Sequence, residues 1–203
     1  MENALKERPT KAEIDQLPLF PGLPLGGIEV LRTEAQCEAA FAAMQKAVFV
    51  GFDTESKPTF RVDAVRDGPH VIQFALPDRA YIIQLGETPP LAFLTQVLES
   101  EEVIKVGFGL KSDRPLLYRK LGIRLTGTVE LTRLLRQLRY KDDLGLKAAV
   151  AVLLGQRLHK PKSVTLSNWA APHLSARQLL YAANDAYASL AVFLALRARE
   201  AMA

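Results

Sequence analysis

The sequence predicts an α/β domain in which a mixed β-sheet is covered by helices. Short apolar runs in hairpin-like order come first, and strand–helix alternation follows them to the end of the chain. The composition, 49% hydrophobic and 24% charged over 203 residues, is that of a globular chain with enough apolar material for one large core or two small ones.

The first 27 residues stand apart as a Pro/Gly-rich amino-terminal extension, and residues 28–203 read as a single domain. Pro9, Pro18, Pro21 and Pro24, with Gly22, Gly26 and Gly27, deny the extension regular structure. It is either loose or lays Leu17, Leu19 and Phe20 on the domain surface. Ile28 to Leu31 is a short strand. Thr33, with Gln36 three residues on, makes a capping box for an Ala-rich helix reaching about Lys46. Val48 to Glu55 is a strong strand, Val71 to Leu76 and Tyr81 to Leu85 are two more, and Pro77-Asp78-Arg79 is the turn between them. Leu91 to Leu98 is helical, Val103 to Phe108 a buried strand, and Ser112 to Leu121 a helix. Thr128 to about Leu138 begins a further element. Leu144 to Leu154 is an apolar helix stopped by Gly155. Ser175 and Gln178 form the capping box of the last helix, which runs towards Arg199.

Several classes are disfavoured. A single cysteine, Cys37, makes no internal disulfide and no Cys-rich zinc site, and predicts a reducing, cytoplasmic home. Met1 to Asp15 has no apolar run behind a basic tip, so no secretory signal is expected there. No unbroken stretch of eighteen apolar residues occurs, and no membrane partner is expected. The formal net charge of +4 permits contact with phosphate backbones without demanding it. His70, His159 and His173 lack metal-ligand spacing, and Trp169 reads as packing.

Asp53 and Glu55 close an apolar strand and, two residues apart, share one face. Two carboxylates about 4 Å apart at an effective dielectric of about 20 repel by about 4 kcal/mol. A hard divalent cation removes that cost; a polar strand end entering a loop is the plain alternative. Asp113 stands early in a helix behind Gly107 and Gly109, where it either caps the helix or faces a ligand at the strand end. Tyr181 and Asp185 lie one turn apart on the last helix, hence on one face. Taken alone, that pair reads as a half-buried Tyr and a solvated Asp.

Three segments taken together say more: Val50-Gly51-Phe52-Asp53-Thr54-Glu55, the run Lys105 to Asp113, and Gln178 to Tyr187 with Tyr181 and Asp185 inside it. In this order and spacing they resemble the DEDD superfamily of 3′–5′ exonucleases, most closely the Tyr-containing branch that includes the Werner-helicase exonuclease domain and RNase D. Ser167-Asn168-Trp169 also resembles the family text, and the similarity covers roughly Ile28 to Leu196. The His branch would place a histidine at position 180, which is Leu180 here. Ser56-Lys57-Pro58 and Glu130 depart from the family pattern.

The resemblance implies an RNase H-like fold, a five-stranded mixed sheet with helices on both faces; the chain itself reads as a stand-alone nuclease domain, without the helical domains that follow the catalytic one in RNase D. It implies a catalytic set of Asp53, Glu55, Asp113, Tyr181 and Asp185, the four carboxylates holding two divalent metal ions, Mg2+ or Mn2+. Asp53 would bridge the ions, Glu55 and Asp185 would hold the first, and Asp113 would act on the second. Tyr181 would orient the attacking water, since a phenol with a pKa of about 10 is a poor base at neutral pH. The expected activity is 3′–5′ exonucleolytic release of nucleoside 5′-monophosphates from single-stranded 3′ ends of DNA or RNA. The alternative is a catalytically silent nucleic-acid-binding module of the same fold. Thr54, Phe60 and Lys160 are candidate substrate contacts, Phe60 by stacking and Lys160, near Lys162 and Arg157, by meeting phosphate. Arg133, Arg136 and Arg139 recur at helical spacing and predict an exposed stripe.

Overall fold

The computed structural model describes residues 5–59 and 67–202. In chain order its elements are α1 (Lys11–Asp15), β1 (Ile28–Val30), α2 (Glu34–Ala47), β2 (Phe49–Glu55), β3 (Val71–Ala75), β4 (Ala80–Gln84), α3 (Leu91–Leu98), β5 (Ile104–Gly107), α4 (Leu110–Leu121), β6 (Thr128–Glu130), α5 (Leu131–Leu135), α6 (Leu146–Leu154), α7 (Lys162–Thr165) and α8 (Ala176–Ala201). The sheet order is β1-β4-β3-β2-β5-β6. The β2/β3 and β3/β4 pairs are antiparallel, and β1/β4, β2/β5 and β5/β6 are parallel. Six strands form where five are expected. Both edges are three-residue strands, and the second of them, Thr128–Glu130, reads in sequence only as the start of an element.

Both faces of the sheet are apolar because alternate side chains of each central strand are apolar. Val50, Phe52, Ile72, Phe74, Tyr81 and Ile83 pack with α2, α3 and α4 on one face. On the other face Val71, Ala75 and Ile82 meet Ala182, Ala183 and Ala186 of α8, and Val106 meets α6 and the far half of α8. An 18-residue window of α8 has a mean hydropathy of 1.5, long and apolar enough by composition to cross a membrane. Most of that window, 61%, is buried, so its apolar surface is spent on the core.

The three capping boxes that begin α1, α2 and α8 each pair a Thr or Ser hydroxyl with a Glu or Gln three residues on. The box at Thr10 and Glu13 gives the amino-terminal extension one helical turn where prolines and glycines predict none. The rest of the extension is laid on the domain. Lys6 bridges to Tyr140, Leu19 bridges to Arg157, and Phe20 and Leu23 are buried, whereas Leu19 stays exposed. The Asn184 amide oxygen of α8 accepts the Leu23 N–H at 2.6 Å and so ties the extension to the last helix.

One sequence expectation changes in part. Arg133, Arg136 and Arg139 are all exposed, but they do not lie on one continuous α-helix. α5 stops at Leu135, a 3₁₀ turn follows, Arg139 is left-handed at φ 59°, and Arg136 pairs with Asp143 at 2.8 Å. Gly107 is small because of packing, since a Cβ there would press on the Phe52 carbonyl and Leu110. Lys105, in the same segment, is fully buried. Its ammonium donates to the carbonyls of Val97, Ser100 and Val103 at 2.6–2.9 Å, closing the carboxyl end of α3.

α8 lies so close to β2 that a methyl on Gly51 would overlap the Ala186 carbonyl oxygen. Gly51→Ala is therefore expected to lower stability by about 1–3 kcal/mol, read as a fall in the denaturation midpoint. An unchanged midpoint would show that the two elements part easily.

Candidate active site

The parallel central strands β2 and β5 run the same way, and the site forms beyond their carboxyl ends. β2 delivers Asp53 and Glu55 on the α8 side of the sheet, and α8 delivers Asp185 and Tyr181 from above. One oxygen from each of Asp53, Glu55 and Asp185 falls within 4.8 Å of the others. Asp113 arrives from the opposite side, in the first turn of α4, and accepts a hydrogen bond from the Thr54 hydroxyl at 2.8 Å. The Thr54 N–H meets the Asp53 carboxylate at 2.9 Å. Thr54, expected to touch substrate, thus ties together two of the carboxylates.

The electrostatics are those of a site with surplus negative charge. Burial pushes the Asp53 carboxyl upward, with Lys160 opposing. Burial, then the nearby Asp53 and Asp185, push Glu55 up to about 9. Burial raises Asp113 to about 7 against the Thr54 hydrogen bond, and raises Asp185 to about 7 against Lys160. The Lys160 ammonium stands 2.5 Å from Asp185 and 5.3 Å from the centre of the Tyr181 ring. Burial alone would lower this lysine, but Asp185 and Asp53 outweigh it and hold it above its ordinary value. The candidate phosphate contact is thus the built-in counter-charge of the carboxylates. Phe60, the candidate stacking residue, lies outside the described residues.

Tyr181 is seated by Trp169, at 5.8 Å between ring centres, and its hydroxyl shares a 2.8 Å hydrogen bond with that of Thr165. Burial, then Asp185, push the phenol up to about 12. At neutral pH it is a hydrogen-bonding hydroxyl and not a base.

Two supporting residues escape a reading of the sequence. Glu130, which in sequence is only a departure from the family pattern, accepts the backbone N–H groups of Gly109 and Leu110 at 3.1 and 2.8 Å. It caps the helix that carries Asp113. Gln73 sits directly across from Asp53 on β3, fully buried, with neither amide atom hydrogen-bonded. A lone polar residue inside the apolar run Val71 to Ala75 is the signal that marks it. His70 is structural, as expected: its N–H donates to the Glu55 carbonyl at 2.8 Å, and its Nδ1 accepts from Lys57 at 3.2 Å.

The donor set fits a hard divalent cation: carboxylate oxygens only, crowded enough to resist ionising together, with a lysine ammonium already drawn in. Known proteins point the same way. A family model described as 3′–5′ exonuclease matches residues 28–199, and the chain belongs to that family, as a DEDDy-type member of the RNase H-like superfamily. The chain is similar to the mouse bifunctional 3′–5′ exonuclease/ATP-dependent helicase WRN, 30% identical over 88% of this chain. It is also similar to an Arabidopsis thaliana 3′–5′ exonuclease, 29% identical over 88% of this chain. It spans 13% of the first relative's length and 66% of the second's. The fold matches the Aedes aegypti Nibbler EXO domain at a TM-score of 0.75 and 23% identity, over 89% of this chain and 91% of that one. It matches Trypanosoma brucei RNase D in complex with RNA U12 at 0.72 and 18% identity, over 85% and 63%.

A carboxyl group whose pKa is raised by folding binds its proton more tightly in the folded state, so its ionisation costs stability as pH climbs from the ordinary value towards the folded one. For Glu55 that window runs from 4.5 to about 9. In metal-free protein, Glu55→Gln is therefore expected to raise the melting temperature by several degrees at pH 8 and hardly at all at pH 5. An equal effect at both pH values would show that the carboxylates do not repel.

Proposed function

We propose that the protein is a metal-dependent 3′–5′ exonuclease that hydrolyses phosphodiester bonds at single-stranded 3′ ends and releases nucleoside 5′-monophosphates. The convergence of Asp53, Glu55 and Asp185, which are far apart in sequence, carries this reading. These three residues would hold one divalent cation, and Asp113, with Asp53, a second; Mg2+ or Mn2+ suits such oxygen ligands. A bound cation supplies stabilisation of charge developing on phosphate oxygens and water of lowered pKa.

The remaining chemistry belongs to the chain. Thr54 sets the spacing of Asp53 and Asp113 through its hydroxyl and its N–H. The Tyr181 hydroxyl, fixed by Thr165 below and Trp169 beside it, orients the attacking water. Its pKa, raised in the metal-free site, favours this role over that of proton acceptor. Lys160 yields Asp185 to the cation, and its ammonium, at the mouth of the same site, turns to the phosphate of the terminal nucleotide. The site acts on the phosphodiester, and its carboxylates are indifferent to the sugar, so DNA and RNA are both within its chemistry.

The test is a 5′-labelled single-stranded oligonucleotide, offered as DNA and as RNA with Mn2+ or Mg2+. Stepwise shortening from the 3′ end is expected, abolished by chelator and by Asp53→Asn. Tyr181→Phe should cut turnover by about 10²–10³-fold while leaving the fold intact, the scale of losing one well-placed hydrogen-bonding group. Binding without shortening would make the protein a silent nucleic-acid module, and wild-type turnover in Tyr181→Phe would remove the water-positioning role.

A further inference from the structure

An open groove of about 1130 Å³ runs between the amino-terminal extension and the body of the domain. Its outer wall is the extension from Glu7 to Asp15, and its inner wall is the amino end of α6 with Arg157 to Lys160. One end is tied by Arg8 to Asp142 at 3.8 Å and Glu7 to Lys141 at 3.4 Å. The other end reaches Thr165, Lys160 and Tyr181, at the door of the carboxylate site. Among the described residues, Lys147, Arg157 and Lys162 line it without a carboxylate at ion-pair distance. Lys147 nevertheless feels both Asp15 on the extension and Asp185 in the site. α6 begins at Gly145 with no side-chain cap, and its first turn lines the same groove.

The groove exceeds the about 300–1,000 Å³ of ordinary small-ligand sites. Its two walls are a chain segment and a helix end with the Arg157 to Lys160 stretch. Unpaired cations along it answer repeated phosphates, while the exposed His159 offers a ring surface near the site. We propose that this groove carries the single strand upstream of the hydrolysed nucleotide, with Lys147, Arg157 and Lys162 on its phosphates and the amino-terminal extension as its outer wall. The proposal rests on the exonuclease reading for the position of the 3′ end, but binding tests it separately.

The experiment measures binding of a fluorescent single-stranded decamer by anisotropy in EDTA, so that nothing is cut. Lys147→Glu/Lys162→Glu is expected to weaken binding at least tenfold and to flatten its salt dependence by about 0.7 for each phosphate left without its cation. Lys11→Glu on the extension should weaken binding in the same direction. Lys46→Glu/Arg79→Glu, at the opposite end of the sheet, should leave it unchanged. Unchanged binding in the groove variants, or an equal loss in the control, overturns the proposal. Hydrolysis of the decamer by the wild-type protein with Mn2+ reports on the exonuclease reading by itself. Groove-dependent binding without hydrolysis would sink that reading and leave this one standing.

A separate observation concerns Gln73. Its two amide donors and its acceptor are buried without a partner, which costs stability, among Val71, Ala75 and Ile82. Asp185 Oδ2, held by Lys160 in an ion pair without hydrogen-bond geometry, is the other buried side-chain atom in this condition among the described residues. Gln73 is in register with Asp53, on the face that α8 covers. We infer that Gln73 is a positioning residue, whose amide steadies the Asp53 carboxylate once a cation draws the acidic groups together. Gln73→Leu should raise the melting temperature of the metal-free protein, because an orphaned polar group is removed, and yet weaken Mn2+ binding about tenfold. Gln73→Met, a second apolar replacement of similar size, should do the same. Unchanged Mn2+ affinity in a folded variant overturns the inference.

Discussion

Three carboxylates brought within 4.8 Å in a half-buried site repel one another, and much of the surrounding structure answers that repulsion. Even with Lys160 beside them, burial and mutual repulsion raise all three carboxyls, Glu55 to about 9. A stronger counter-charge favours their ionised forms. Lys160 is the counter-charge the chain itself supplies, drawn to Asp185 from the loop before α7. A divalent cation carries more charge, and hard oxygen ligands suit it better than an ammonium. The crowded acids therefore suit a divalent cation, which would relieve their repulsion.

That crowding needs a stiff frame. β2 is central in the sheet, bonded on both sides, and α8 rests directly on Gly51. Asp53 and Glu55 sit at the end of this doubly paired strand, and Asp185 sits on the helix pressed closest to it. Asp113 has a different support, because it comes from the other face of the sheet. Thr54, whose side chain alternates away from Asp53, reaches across to it, and Glu130 caps its helix from β6. The extension joins the same assembly through Asn184, the neighbour of Asp185.

Elements whose signals are local are legible in the sequence. The capping boxes at Thr33 and Ser175, the stop at Gly155 and the hairpin turn at Pro77-Asp78-Arg79 are each written within a few residues, and each stands in the structure. The arginines are exposed as expected, but their helical spacing runs on paper through a stretch that turns left-handed at Arg139, which periodicity cannot reveal. α7, four residues long, carries too little periodicity to be seen. The helical turn in the extension is hidden because nearby prolines outweigh one capping box.

The sequence alone determined which acids share a face, since strand and helix periods are properties of neighbouring residues: Asp53 with Glu55, and Tyr181 with Asp185. It also determined the family, through three motifs in order. Tertiary structure alone decided what those residues touch. Thr54 meets Asp113 across 59 positions, Leu23 meets Asn184 across 161, and Lys160 turns to Asp185. Such contacts depend on how strands register and how closely a helix seats on a sheet, and packing of the whole core sets both.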